Sequence, residues 1–246
     1  MVPWLIEHTF ANLGSMATVD VSLASRARPV SSSRDQVLPL LPALRPLLPG
    51  GGLQRGSVIT VSAGEGRPDG QSGGRTERGG SGGGAGTLAF ALLAAASTAG
   101  SWCAAVGTGD PGILAIAEMG VDLDYLAIVP CPGPAWPEVT ALLVDDMDVV
   151  LVRPPGRVGM GAARRLVARA RQKRTVLVVQ AGRGIWPEGP DVHLAVESGT
   201  WDGVDRGHGH LLGRHVEVVT SGRRSAVRNV RTGLWLPGPS GAVTAG

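Results

Sequence analysis

The sequence predicts an α/β fold: a three-layer sandwich on a mostly parallel central sheet, with antiparallel strands added toward the C-terminus. Three observations carry this. Short uncharged runs rich in Val, Ile and Leu (Val58–Val61, Leu126–Val129, Val149–Val152, Val176–Val179) recur with helical patterns between them, the alternation expected of parallel strands joined by crossover helices. These runs lack any apolar–polar alternation, so both faces of each strand must be covered. After Gly184 the helical patterns stop, and strand-like segments follow one another across Gly, Asp, Ser and Arg turns.

In chain order, residues 1–45 read as an irregular arm, Ser-, Arg- and Pro-rich, with one short helix in the proline-broken segment Val37–Leu48. Residues 46–236 form the predicted core. Its first strand, Val58–Val61, leads into a Gly-rich segment, 64–86, expected to be a flexible insertion, and then an uncharged helix, Thr87–Thr98. Trp102–Val106 is the second strand, Ile113–Met119 a helix and Leu126–Val129 the third strand. Glu138–Val144 is helical and Val149–Val152 is strand four. Gly161–Lys173 is a basic amphipathic helix whose Leu166, Val167 and Ala170 recur at helical spacing and face inward, and Val176–Val179 is strand five. The antiparallel extension is Val192–Val196, Leu211–Val219 and Val227–Leu236, and residues 237–246 read as a disordered tail.

Composition narrows the chemistry. Of 246 residues, 43% are hydrophobic but only 4% aromatic, so the core is built from Ala, Val and Leu. Two cysteines, Cys103 and Cys131, are too few for a disulfide scaffold and point to a reducing, cytoplasmic setting. Cys103 reads as a core thiol, and Cys131 sits in a proline-rich loop. The N-terminus lacks the basic start and apolar run of a signal peptide, and Met16 offers a second start. The uncharged stretch Thr87–Gly107 is long enough to span a bilayer, but Gly100-Ser101 divides it, and a buried helix followed by a buried strand fits better. The only lysine is Lys173; every other cation is arginine. Residues 1–150 carry 8 Arg against 14 acids, and residues 151–246 carry 15 cations against 6, a lopsidedness that suits an acidic partner such as nucleic acid or else an arginine-rich solvated face.

Strand, Gly-rich loop, helix is the arrangement that cradles phosphates, because backbone N–H groups and the helix N-terminus face the anion. The working pattern is G-x-x-x-x-G-K-[ST]. Here the segment carries Gly80, Gly82, Gly83, Gly84, Gly86 and Thr87: the terminal hydroxyl is present, but Ala85 replaces the second glycine and Gly86 the lysine. Strand four, where a magnesium-binding acid belongs, ends in Arg153. Losing both the ammonium and the acid predicts a degenerate loop without phosphoryl transfer. No cofactor and no metal are expected.

The chain resembles the RecA-type recombinase core. Leu47–Gly56 resembles the lead-in to that family's first strand, Gly120–Leu126 its "LGVDIDNL" stretch, Asp148–Val152 its magnesium strand, and Gln180 its γ-phosphate-sensing glutamine. The departures form a pattern. The family's catalytic glutamate falls near Thr108-Gly109, with only Asp110 beside it, and the DNA-contacting loop after Gln180 is reduced to Ala181–Gly189. Short, Arg-rich, Walker-less chains with a tail like Arg231–Pro239 are similar to the actinobacterial ImuA-prime family. That resemblance implies a non-catalytic accessory protein of damage-induced (SOS) translesion synthesis, partnered by a polymerase-like adapter of ImuB type and an error-prone polymerase. A RecA-like ATP-dependent recombinase and a SulA-type cell-division inhibitor are the alternatives.

The remaining constellations read more plainly. Arg164, Arg165, Arg169, Arg223, Arg224, Arg228 and Arg231 offer contacts to DNA phosphates or an acidic partner, and Trp235 offers a partner anchor or a core plug. His208, His210 and His215 read as a solvated hairpin rather than a metal site, and Asp145, Asp146 and Asp148 as a polar turn.

Overall fold

The computed structural model describes residues 36–64, 84–182, 184–205, 208–222 and 229–246. A two-stranded ribbon of β1 (Val37–Leu38) and β2 (Leu53–Gln54) precedes the main sheet. The main sheet contains β3 (Val58–Ala63), β4 (Cys103–Val106), β5 (Leu126–Val129), β6 (Val149–Val152), β7 (Val176–Gln180), β8 (Val192–Asp205), β9 (His208–Gly222), β10 (Val230–Trp235) and β11 (Thr244–Ala245). Its order is β11-β10-β9-β8-β3-β7-β6-β4-β5. From β8 to β5 every pairing is parallel, and from β8 to β11 every pairing is antiparallel.

The uncharged strands behave as two-sided burial requires. Ile59, Val61, Cys103, Ala105, Val149, Leu151, Val176 and Val178 project into one apolar cluster, and Val58, Ala104, Val106, Val150, Val152, Leu177 and Val179 into the other. On the first face lies α1 (Ala85–Thr98), a helix without charge and with most of its residues buried. Such a helix has no polar face to present. The short α2 (Ile113–Glu118) packs beside it through Ile116, followed by Met119 and Val121. On the second face lie α3 (Trp136–Asp146) and α4 (Met160–Lys173). Helix α4 buries Ala163, Leu166, Val167 and Ala170, the i, i+3, i+4, i+7 stripe, and turns its arginines outward.

Several boundaries differ from the sequence expectation, each for a physical reason. Helix α1 begins at Ala85, capped by Gly84 at φ +93°, because the glycine supplies the left-handed entry that a side chain resists. Helix α3 starts two residues early, since Pro137 lies in the first turn, where its missing N–H is not needed. The segments 192–196 and 211–219 are the stem of a far longer hairpin, β8–β9. Its two bulges, between Val196 and Ser198 and between Asp202 and Val204, shift the register and hide the alternation.

The boundary drawn at residue 45 falls inside a 3-10 helix, Pro42–Leu47. Leu38, Leu40, Leu44, Leu47, Leu48 and Leu53 are buried with Val216, Val218 and Leu234, so this proline-broken segment covers the first face over β9 and β10. Residues 1–35 lie outside the described residues, as does 65–83 of the Gly-rich segment. The expected disordered tail is corrected: Thr244–Ala245 pairs with β10, Val243 joins the core, and a turn closed by Gly238 N–H donating to the Ala242 carbonyl connects them. Glycine, proline and serine there form a tight turn rather than a loose end. Among the described residues no helix is long and apolar enough to cross a membrane.

Candidate functional site

In open α/β sheets ligands bind beyond the carboxyl ends of the parallel strands. At this edge the chain places the first turn of α1 and the ends of β3, β4, β6 and β7. Gly84 caps α1, and Gly86 and Thr87 follow, both half-buried. Gly80, Gly82 and Gly83 lie outside the described residues. Gln180 ends β7 opposite Val61 of β3. It lies two residues beyond Val178, on the α1 side of the sheet, and is buried.

Strands β4 and β6 close on each other at their ends. The Arg153 N–H donates to the Val106 carbonyl at 2.9 Å. Gly107 (φ +72°) runs so close that a Cβ there would lie 2.5 Å from the Arg153 carbonyl oxygen. The half-buried Arg153 therefore stands at the end of β6, where a magnesium site needs an acid. Thr108, just past β4, is buried, and its Oγ1 has no hydrogen-bond partner among the described residues. Asp110 is exposed beyond it.

Lys173 cannot serve this edge. Helix α4 runs back from the end of β6 to the start of β7, which carries Lys173 to the opposite edge, 3.6 Å from Asp145. Among the described residues, a cation that the sequence did not reveal stands at the α1 entrance. Arg214 of β9 places its guanidinium beside Gly84, where a Cβ would meet Nη1 at 2.9 Å, and stacks 5.7 Å from the Trp201 ring. The hairpin pairing sets Arg214 opposite Trp201; no local motif announces it.

The acidic turn is structural. Asp145 accepts hydrogen bonds from Arg169, which together with the nearby Lys173 hold its carboxyl below the ordinary range. Asp148 is buried at the amino end of β6, accepting from Arg55 Nη1 at 2.7 Å and from the Trp102 N–H at 3.0 Å. Among the described residues no group of His, Cys, Asp or Glu is placed to hold a metal ion. His193, which the sequence reading passed over, lies between Thr60 Oγ1 (2.7 Å) and Ser62 Oγ (3.4 Å) on the second face. Burial pushes the Cys103 thiol up to about 12, with the nearby Asp148 adding to it, so it is not a nucleophile. Cys131 is exposed.

The arginines singled out for partner contact divide. Arg169 is engaged by Asp145, Arg164 lies 3.4 Å from Glu188, and Arg165 is exposed. Arg231 bridges Glu197 (2.9 Å) and Glu217 (3.1 Å), which raises its affinity for the proton. Arg223, Arg224 and Arg228 lie outside the described residues. Trp235 is half-buried, edge-on to His215 at 5.6 Å.

Three comparisons place this geometry. The crystal structure of the RadB recombinase superposes with a TM-score of 0.55 at 15% identity, covering 83% of this chain and 97% of that one. The fold is therefore RecA-like. A family model for the MT3502 N-terminal domain matches residues 70–188. The uncharacterized protein Rv3395c of Mycobacterium tuberculosis is 46% identical over 100 residues, 40% of this chain. The chain spans about half the length of that curated relative, 49%.

Proposed function

We propose that this RecA-like chain is a non-catalytic accessory protein of damage-induced translesion synthesis, acting in the cytoplasm beside a polymerase-like adapter and an error-prone polymerase. The observation that supports the non-catalytic part most directly is the crevice. Gly86 stands where the phosphate-binding lysine belongs, Arg153 stands where the magnesium acid belongs, and the one lysine is at the far edge. A site with cations in place of the metal-binding acid repels magnesium, and without magnesium the β/γ-phosphate charge is not neutralised for transfer. The mutagenesis role rests on the resemblance of the shortened, Walker-less sequence to the ImuA-prime family.

Two measurements test it. Purified protein should show no ATP turnover, with or without single-stranded DNA; turnover lost on Thr87→Ala would replace this reading with a recombinase-like ATPase. Affinity capture from cells treated with a DNA-damaging agent should recover the adapter and the polymerase. Recovery of the tubulin-like division protein instead would make the chain a division inhibitor. Arg214 beside Gly84 favours one narrower reading, nucleotide held without turnover. Metal-independent binding of a fluorescent nucleoside diphosphate that Arg214→Ala abolishes would support it.

A further inference from the structure

Residues 153–174 carry eight cations and no acid, against a net charge of +3 for the whole chain. They run from just past β6 through α4, a helix about 21 Å long at about 1.5 Å per residue. Neighbouring carboxylates engage part of this charge. Arg169 and Lys173 share Asp145. The Arg164 side chain, 70% exposed, lies 3.4 Å from Glu188, and that of Arg171, 55% exposed, lies 3.9 Å from Asp191. Such long pairs between groups mostly in water hold weakly. Arg157, Arg165 and Arg174 are exposed and have no ion pair among the described residues. Arg174 ends α4 at φ +61°, which glycine adopts freely and a side chain resists, so a guanidinium stands there at a cost in backbone strain. The helix repeat orders the outer side. With Ala163, Leu166, Val167 and Ala170 buried against the sheet, Gly161 and Ala168 fall on the opposite side, between Arg164 and Arg171 in one direction and Arg165 in the other. Arg165 Nη1 passes 3.9 Å from where a Gly161 Cβ would stand. The result is a low strip edged by arginines.

We infer that this side of α4 is a docking surface for duplex DNA, held through phosphates by Arg157, Arg164, Arg165, Arg171 and Arg174. Charge complementarity selects a polyanion. A DNA duplex presents about one negative charge per 1.7 Å of its axis, so a cationic strip of this length faces several phosphates at once. A protein partner would need a large apolar anchor at the centre of the patch. The centre here is Gly161 and Ala168, with Met160 exposed only at the helix start. Single strands are gripped by stacking on aromatic rings, and residues 153–174 include none. The major groove of B-DNA, about 12 Å wide, admits a helix, whereas the deep, narrow groove of duplex RNA does not. Contacts made to phosphates carry no sequence information, so binding is independent of sequence. The surface lies on the second face of the sheet and requires neither a nucleotide in the crevice nor the polymerase partnership proposed above.

The test is fluorescence anisotropy of a labelled duplex of about 20 base pairs with the full chain, between about 50 and 200 mM salt. The logarithm of the affinity should fall with that of the salt concentration at a slope of about −4.5, from five phosphate contacts at about −0.9 each. Arg165→Gln should reduce that slope by about 1 and weaken binding about eightfold at about 0.1 M salt. Arg174→Gly should do the same while melting no lower than the parent, because glycine suits that φ; its loss of binding is then not a loss of fold. Arg45→Gln, in the leucine-rich segment over the first face, should change neither. No binding at the low-salt end overturns the inference, as does an unchanged slope in both α4 variants. Tighter binding to single-stranded DNA, duplex RNA, poly-glutamate or anionic lipid vesicles than to the DNA duplex also overturns it.

Discussion

Asp148→Ala removes the carboxylate that ties the start of β6 to two other parts of the chain. Two partners lose it at once. The Trp102 N–H, 3.0 Å from Asp148 Oδ2, is left without that acceptor at the buried entry to β4, a loss of about 1–3 kcal/mol for an unsatisfied donor. Arg55, 2.7 Å from Oδ1, keeps a cation whose side chain is 21% exposed. Water reaches part of it, so its share is well under the roughly 3–5 kcal/mol of a fully buried broken pair. Together these give about 3 kcal/mol. Asp148→Asn retains an oxygen for the Trp102 N–H and should lose about 1–2 kcal/mol. Urea unfolding followed by circular dichroism reads both. With a slope of about 2 kcal/mol per molar, Asp148→Ala lowers the midpoint by about 1.5 M. The double-mutant cycle with Arg55→Met should return a coupling of about 1 kcal/mol or more. A loss below about 0.5 kcal/mol for Asp148→Ala, or a coupling near zero, would refute the reasoning.

Three further outcomes follow from the same geometry. A thiol reagent at neutral pH should modify Cys131 quickly and Cys103 only on unfolding, because burial holds the Cys103 thiol near 12; two fast thiols would show that β4 is not buried. Because the Arg169 hydrogen bond holds the Asp145 carboxyl below the ordinary carboxylate pKa, the pairing stabilises the fold above the ordinary carboxylate range and is lost as pH falls through the folded value. Urea midpoints of the parent and Asp145→Asn should therefore differ at pH 7 and converge in acid; a difference that grows in acid would contradict this sign. Gly107→Ala should lose about 2–4 kcal/mol, since its Cβ would strike the Arg153 carbonyl as well as holding a positive φ. Gly109→Ala, at the same φ with open space, should lose about 1 kcal/mol. Equal losses in thermal melts would show that the β4–β6 approach does not matter.

Burial decided what was legible in advance. Strands β3, β4, β6 and β7, covered on both faces, appear as uncharged runs and could be placed within a residue or two; β5, though half-exposed, is uncharged as well. Helix α4 was readable because its two faces differ, and its buried stripe includes Leu166, Val167 and Ala170 as the spacing predicts. The β8–β9 hairpin was not, because Gly199 and Gly203 interrupt the alternation. At Gly203, φ +94°, a Cβ would collide with the His210 carbonyl, so the glycine that resembles a turn is a bulge within a strand. The leucine shell from Leu38 to Leu53 was hidden by its prolines. At the crevice, Gly86 and Arg153 are single positions in a known frame and could be read directly. Arg214 and His193 arrive through pairings far apart in sequence, with β9 returning to α1 and β8 lying beside β3, and no local pattern encodes either.

The packing that holds the crevice does not depend on a bound phosphate. Helix α1 is held by Leu88, Leu92 and Leu93, each fully buried, against the first face of the sheet, and the leucine shell extends that face over β9 and β10. None of these contacts needs a phosphate at Gly84. Replacing the lysine by Gly86 removes a cation that would otherwise sit unpaired at the positive end of a helix, and Arg153 is held by its backbone bond to β4 whatever its side chain does. The scaffold can thus persist without nucleotide, which separates this chain's stability from its activity. Function on such a scaffold lies in sites carried by the fold and not in the fold itself. Several large apolar side chains of this scaffold stand in water. Leu114 of α2, Leu142 of α3, and Trp201, Leu211 and Leu212 of the β8–β9 hairpin are exposed.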